Sequence, residues 1–180
     1  MSRYVAFLRG MNLGNRRIKN DELRSLFEGL GFDGVATFRA SGNVVFSAGG
    51  RGGEEALAKR IEAGLEEGLG YEVPVFLRSG AEVGAIAARQ PFNPKLVESS
   101  SGKLQVALLI KKPSASARKT ALALSSEADR LAIDGRELYW LPAGGISESE
   151  LDLKALDVTL GTTTVRTMGT IEQIAAKHLA

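Results

Sequence analysis

Arginine, asparagine and glycine are concentrated in residues 9–17, and these residue types suit the binding of an anion. The stretch reads Arg-Gly-Met-Asn-Leu-Gly-Asn-Arg-Arg and follows an apolar segment. Guanidinium groups hold phosphate or carboxylate through paired hydrogen bonds, and glycines leave backbone N–H groups accessible to the same ligands. The stretch therefore predicts a site for a phosphate, a carboxylate or the backbone of a nucleic acid.

A second polar turn, residues 39–43, reads Arg-Ala-Ser-Gly-Asn and lies between two apolar segments. It adds a further guanidinium group and two hydrogen-bonding side chains. Ser-Gly-Asn is also favourable turn chemistry, so a purely structural role stays open. The candidate ligand-binding residues of the two segments are Arg9, Asn12, Arg16, Arg17, Arg39, Ser41 and Asn43.

The composition bounds the class of protein. The chain has 180 residues, of which 44% are hydrophobic and 24% charged, as in an ordinary globular protein. No apolar run reaches the length needed to span a bilayer, and the N-terminus lacks the apolar core of a signal peptide. We therefore expect a cytoplasmic protein that does not associate with a membrane. The net charge of +2 is too small to predict nucleic-acid binding by itself.

The familiar catalytic motifs are missing, so no catalytic residue is assigned. The sequence has no cysteine and one histidine, too few ligands for the usual zinc sites, and we expect neither a metal nor a cofactor. Ser41 lacks the Gly-x-Ser-x-Gly context of a serine nucleophile, and Gly10 to Gly14 is not followed by the Lys-Ser/Thr of a phosphate-binding loop. His178 is expected in the last turn of a C-terminal helix, where a cation is favoured.

Apolar periodicity predicts two successive β-α-β-β-α-β units, which is the ferredoxin-like order. We therefore predict an α+β protein of two ferredoxin-like halves with antiparallel sheets. The predicted divisions are a first half at 1–78, a connecting helix and loop at 79–102, and a second half with a C-terminal helix at 103–180. The predicted strands are 3–8, 35–39, 44–47 and 73–77, then 104–110, 130–133, 137–141 and 162–166.

This topology predicts where the two polar segments lie. In a ferredoxin-like sheet, strand one is antiparallel to strand three, so the end of strand one and the turn between strands two and three share one edge. The arginines of 9–17 and of 39–43 should then converge, and like charges that converge are stabilised by an anion between them. The helix that starts near Asn20 would add the positive end of its dipole.

Local signals predict helix starts and the role of two aromatic residues. Ser/Thr-x-x-Glu/Gln patterns predict helix starts at Ser79, Ser147 and Thr170. RNA-recognition modules share this order of elements and expose aromatic rings on strands one and three. Phe7 and Phe46 occupy those strands within apolar patterns, and we expect them in the core.

Two blocks of the sequence resemble a known family. The blocks are residues 6–14, Ala-Phe-Leu-Arg-Gly-Met-Asn-Leu-Gly, and residues 26–46 with Ser-Gly-Asn-Val-Val-Phe at their end. Their combination resembles the bacterial family called domain of unknown function 1697, over the whole chain. The resemblance implies paired ferredoxin-like units and brings no established activity.

The family's C-terminal pattern, Thr-x-Arg-Asn-Trp-x-Thr, is similar to residues 164–170. The threonines and Arg166 match, whereas Thr167 and Met168 replace the asparagine and the tryptophan. Arg166 is a candidate ligand-binding residue through this resemblance, and whether it joins the N-terminal site stays open.

These observations predict a binding protein for a nucleic acid or a phosphorylated small molecule. The alternatives are an enzyme on a small phosphorylated or carboxylated substrate, with Lys19 or Asp21 as the base, and a protein-interaction module. The sequence does not predict the oligomeric state.

Overall fold

Two four-stranded antiparallel sheets form the framework of the protein in its computed structural model, which describes residues 1–11, 14–39 and 42–179. Asn12 and Ser41, two of the predicted site residues, lie outside the described residues. The chain forms two compact units, and each contains one of the sheets. One unit is Met1–Ala85 with the segment from Ile174 onward, and the other is Ile86–Gln173.

The first sheet has the strand order β2-β3-β1-β4, as the ferredoxin-like arrangement requires. Strand β1 is antiparallel to both neighbours, β3 and β4, which confirms the predicted pairing of strand one with strand three. The elements are β1 Ser2–Leu8, α1 Asn20–Gly29, β2 Asp33–Thr37, β3 Asn43–Ala48, α2 Gly53–Leu69 and β4 Val75–Ser79.

An apolar core forms between this sheet and its two helices. Helix α1 buries Leu23 and Phe27, and α2 buries Ile61 and Leu65, at spacings that place each pair on one helical face. The Phe46 ring lies within 5.4 Å of the Phe27 ring between centroids. Phe7 and Phe46 are both fully buried, so the prediction that they belong to the core is confirmed. Neither ring is exposed for stacking on RNA bases.

The second sheet repeats the arrangement of the first, with the strand order β6-β7-β5-β8. Its central strand β5 is buried throughout, as its continuous apolar sequence predicts. The remaining elements are α3 Gly80–Ala88, α4 Pro94–Ser99, β5 Gln105–Leu109, α5 Ala115–Leu122, β6 Asp129–Asp134, β7 Glu137–Pro142, α6 Leu153–Leu160, β8 Thr163–Thr167 and α7 Met168–Ile174, with a 3₁₀ turn at Ile146–Glu148 and a π-helical turn at Ala175–Leu179.

The predicted helix starts are right in one case and wrong in two. Ser79 and Glu82 exchange hydrogen bonds of 2.8 and 3.2 Å between side chain and backbone N–H, and α3 begins at the next residue. The start predicted at Ser147 is wrong because α6 is capped by Asp152, whose carboxylate accepts from the Ala155 N–H. The start predicted at Thr170 is also wrong. The Thr167 hydroxyl accepts from the Thr170 N–H, so the helix begins earlier.

Candidate functional site

The end of β1 and the turn between β2 and β3 meet at one end of the strands of the first sheet, as the topology predicts. Phe7 is paired with Asn43, and the Leu8 N–H donates to the Gly42 carbonyl at 2.8 Å. On the other side, the Arg9 N–H donates to the Pro74 carbonyl at 3.2 Å. We call this surface the arginine edge, and it comprises the described residues of 9–17 and 38–43 together with 71–74.

Close packing holds the β2–β3 turn against the chain that leaves β1. Gly42 has a φ of +77°, and a Cβ there would lie 2.9 Å from the Met11 Cγ and 3.1 Å from the Leu8 Cβ. Both the left-handed backbone and the lack of space therefore require glycine. Gly42 is thus the residue that lets the two polar segments approach each other.

Arg39 has a φ of +58°, and it is the one non-glycine residue with a positive φ in the described part of the chain. Such a conformation is uncommon for a residue with a side chain, and it persists only where the surroundings enforce it. Its guanidinium carbon lies 5.4 Å from the centroid of the Phe38 ring. The turn therefore carries an exposed cationic side chain on a left-handed backbone.

Asn43, a predicted ligand-binding residue, is fully buried. Its amide nitrogen donates to the Phe38 carbonyl at 2.9 Å, and the Phe38 N–H donates to the Asn43 carbonyl at 3.0 Å. This pair of hydrogen bonds closes the turn that carries Arg39. The geometry gives Asn43 a part in shaping the edge.

Arg16 and Arg17, which belong to the arginine edge, line an open cleft of about 790 Å³. The cleft lies between the loop at 15–18, the first turns of α1, the end of α2 and Tyr71. The Arg16 guanidinium carbon lies 4.2 Å from the centroid of the Tyr71 ring, a cation–π distance. Tyr71 is three residues before Pro74, which bonds to Arg9. The segment 71–74 thus joins the cleft to the sheet edge.

The carboxylates in the cleft are engaged elsewhere than with Arg16 and Arg17. Asp21 Oδ1 accepts from Arg24 at 3.3 Å, and Glu22 Oε2 accepts from the Lys19 backbone N–H at 3.0 Å. Neither Arg16 nor Arg17 forms an ion pair within the described residues. Both side chains are exposed, so their charges are available to an incoming anion.

Arg166 belongs to the other unit, where it lies on β8. It is 8% exposed, and its guanidinium donates to the Thr164 hydroxyl and to the Val165 carbonyl, each at 2.9 Å. Burial lowers the pKa of Arg166 to about 10, which leaves it protonated at neutral pH. The structure therefore brings Arg9, Arg16, Arg17 and Arg39 into one unit and places Arg166 in the second.

Sequence reasoning missed Tyr71, which contributes the aromatic wall of the cleft. The signal that would have found it is its position between two elements. It follows Gly70, which ends α2 with a φ of +82°, and it precedes β4, whose start is paired with the end of β1. A residue in that short connection must lie at the same edge as Arg9.

His178 lies in the last turn of the C-terminal helix, as predicted, but its surroundings disfavour the charged form. It lies in the π-helical turn, and its ring meets Phe38 edge-on with 6.0 Å between centroids. Its Nε2 is buried and has no hydrogen-bond partner among the described residues. Burial lowers the pKa of His178, and the positive charges of Lys177 and Arg3 lower it further. Both effects disfavour the charged imidazole that the sequence predicts at this helix end.

Comparisons with known proteins agree with the fold. The model of a family described as protein of unknown function (DUF1697) matches residues 1–139. The chain belongs to this family. The match ends before the block at 164–170, so the expected resemblance over the whole chain is confirmed only for the part up to residue 139. No curated protein sequence matches the chain.

A solved structure of a conserved bacterial protein, SP0830 from Streptococcus pneumoniae, is similar to this DUF1697 chain. The two are 18% identical, with a TM-score of 0.71 over 98% of this chain and 97% of the other. At this identity the likeness shows the fold alone. It supports the arrangement of two ferredoxin-like halves.

Proposed function

We propose that this DUF1697 protein binds a phosphate-bearing anion, either a phosphorylated small molecule or the backbone of a nucleic acid, at the arginine edge. The observation that carries the proposal is the approach of the two arginine-bearing segments, joined by the hydrogen bond from the Leu8 N–H to the Gly42 carbonyl. The bond places the residue after Leu8 and the turn of Arg39 side by side. Guanidinium groups on two such adjacent segments repel each other less when an anion binds between them.

The cleft lined by Arg16 and Arg17 also supports the binding of a phosphate. Arg16 and Arg17 are exposed, and, among the residues that the structure describes, neither forms an ion pair with Asp21 or Glu22. Arginine suits phosphate in particular because its planar fork forms two parallel hydrogen bonds to neighbouring oxygens. The site therefore offers several such forks within one unit of the protein.

Binding fits the geometry better than catalysis does. Lys19 and Asp21, the residues that an enzyme would use as a base here, are both exposed, and Asp21 is paired with Arg24. A general base is usually tuned to its task by burial or by a strong electrostatic partner. Both side chains are open to solvent, and the pair between Asp21 and Arg24 is an exposed one, so we infer that a bound ligand leaves unchanged.

The proposal includes a cytoplasmic location. No helix in the described ranges has the length and apolar character needed to cross a membrane. The absence of cysteine also means that the fold needs no oxidising compartment for disulfides.

Calorimetric titration with pyrophosphate, single-stranded RNA and duplex DNA tests the proposal. The informative variant is Arg9→Gln/Arg39→Gln, which removes two charges from the arginine edge. The matched control is Lys111→Gln/Lys112→Gln, which removes two exposed charges after β5, at the corresponding place in the second half. Thermal unfolding of each variant verifies that it is folded.

We expect at least one anion to bind the unmodified protein and the control with similar affinity. Loss of a charge-assisted hydrogen bond should weaken binding to the arginine variant by about 1–3 kcal/mol. The proposal is wrong if no anion binds the unmodified protein better than it binds the arginine variant.

A further inference from the structure

The cleft beside Tyr71 combines groups that a bare phosphate does not need. We propose that it binds one nucleotide unit, with the phosphate on Arg16 and Arg17 and the base against the Tyr71 ring. The inference rests on the proposed function, because both arginines belong to the arginine edge. It adds the class of ligand and a residue that recognises the base.

The Tyr71 ring offers a flat surface that already holds a planar group. The Arg16 guanidinium lies over it at 4.2 Å. The ring itself is half-buried and packs against the core of the first sheet, so it is held in place. A nucleobase is also planar, and each of the bases can stack on an aromatic side chain. A base that takes the place of the guanidinium releases Arg16 to bind the phosphate.

The carboxylates of the cleft suit a base and not a phosphate. Asp21 and Glu22 would repel a phosphate placed beside them, whereas each accepts hydrogen bonds from the N–H groups of a base. Each uses one oxygen within the protein, Oδ1 toward Arg24 and Oε2 toward the Lys19 N–H. The other oxygen of each carboxylate remains as an acceptor. A ligand with a negative group at one end and hydrogen-bond donors at the other therefore suits the lining of the cleft.

The apolar surface and the volume of the cleft also suit a nucleotide unit. Leu26 and Leu69 provide apolar surface beneath the polar rim. The volume of about 790 Å³ lies within the usual range of small-molecule sites and exceeds what a phosphate alone requires. The cleft is open, so the nucleotide unit is either a free nucleotide or one residue of a single strand, which share this chemistry.

Titrations with guanosine monophosphate, ribose 5-phosphate, pyrophosphate and a short single-stranded RNA test the proposal. Tyr71→Leu removes the ring, and Tyr71→Phe keeps it. The control is Tyr4→Leu, which removes a half-buried tyrosine from the same sheet outside the cleft. Saturation transfer from protein protons to the base protons of guanosine monophosphate is a second measurement, and it requires no variant.

We expect guanosine monophosphate or the RNA to bind the unmodified protein about tenfold more tightly than ribose 5-phosphate does. The advantage should persist in Tyr71→Phe and Tyr4→Leu and disappear in Tyr71→Leu. The affinity of the free nucleotide relative to the RNA then identifies the source. Saturation should reach the base protons of whichever nucleotide binds.

Two outcomes would overturn the inference. One is that ribose 5-phosphate binds as tightly as the nucleotides, and the other is that the advantage of the base survives Tyr71→Leu. If pyrophosphate still binds in either case, with an affinity that depends on Arg9 and Arg39, the proposed anion site is supported and only the base site is wrong. If no phosphate compound binds at all, both proposals are wrong.

Discussion

The two halves of the protein share one topology but differ at the edge where the first half carries its candidate site. In the first half the Leu8 N–H donates to the Gly42 carbonyl at 2.8 Å, and in the second the Leu109 N–H donates to the Arg136 carbonyl at 2.9 Å. Each bond links the end of a central strand to a hairpin turn. The same backbone framework therefore presents two different surfaces.

The difference lies in the connections. Residues 9–19 join β1 to α1, whereas the shorter segment 110–114 joins β5 to α5. The turn of the first half carries Arg39, while the corresponding turn begins at Asp134, whose carboxylate pairs with Arg89 at 3.2 Å. The comparison shows that the topology brings the two loops of each half together, and that the loops of the two halves differ in length and in the placement of their charged residues.

Replacing the glycine of each hairpin turn with alanine should give the largest effects on stability. Gly42→Ala would force a left-handed backbone and a clash with Leu8 and Met11, which together should cost about 2–4 kcal/mol. Gly135→Ala in the second half has a φ of +58° but a nearest neighbour at 3.5 Å, so it should cost about 1–2 kcal/mol. Midpoints of denaturant unfolding measure both. Equal losses would mean that the close approach at Gly42 has no energetic role.

Removing the amide that closes the first turn should have the next largest effect. Asn43→Ala leaves the Phe38 carbonyl without a buried donor and should cost about 1–3 kcal/mol of unfolding free energy. The counterpart is Glu137, which is paired with Leu108 as Asn43 is with Phe7, and which is only half-buried. Glu137→Ala should therefore cost less. A larger loss for Glu137→Ala would reverse the comparison.

Arginine geometry at the first edge should matter for affinity. Arg9→Lys keeps the charge but loses the planar fork, so it should weaken a specific anion almost as much as Arg9→Gln, by about tenfold. Lys111→Arg in the second half should add nothing. If the ligand is a polyanion, affinity should also fall steeply with salt because bound counterions are released, and a small phosphorylated ligand should show a shallower fall. Titrations at two salt concentrations measure both effects, and full binding by Arg9→Lys would show that charge alone is sufficient.

Protonation of His178, which lies in the first unit, should make the stability of the protein depend slightly on pH. Its pKa in the folded protein is lowered, so the unfolded chain binds the proton first as the pH falls. Stability from the neutral imidazole is present above its unfolded pKa of about 6.5 and is lost as the pH falls through the folded pKa. Thermal unfolding between neutral and mildly acidic pH should therefore show a smaller decline for His178→Gln than for the unmodified protein. The same decline in both proteins would mean that His178 does not contribute to the pH dependence of stability.

The fold was predictable because its signals are local and repeated. Continuous apolar sequence marked β5 as central, and Ser79 with Glu82 marked the start of α3. The two helix starts failed because other residues provide the caps. Asp152 caps α6 in place of Ser147, and the Thr167 hydroxyl accepts from the Thr170 N–H at 3.2 Å.

The site was predictable only in part. The approach of the end of β1 to the turn that carries Arg39 follows from the pairing of β1 with β3, which the sequence pattern predicts. The buried role of Asn43 does not follow, because an amide serves a turn and a ligand equally well. Tyr71 and His178 depend on contacts between elements far apart in sequence, and no periodicity encodes such contacts.

The most direct test of the anion site is a map of backbone amide shifts by nuclear magnetic resonance during titration with pyrophosphate. We expect shifts at the non-proline residues of 9–17, 39–43 and 71–74, and none at those of 110–114 or 134–137. The Arg9→Gln/Arg39→Gln variant should lose these shifts, and the Lys111→Gln/Lys112→Gln control should keep them. Shifts of equal size at the two edges, or shifts confined to the second half, would contradict the claim that the first half carries the anion site.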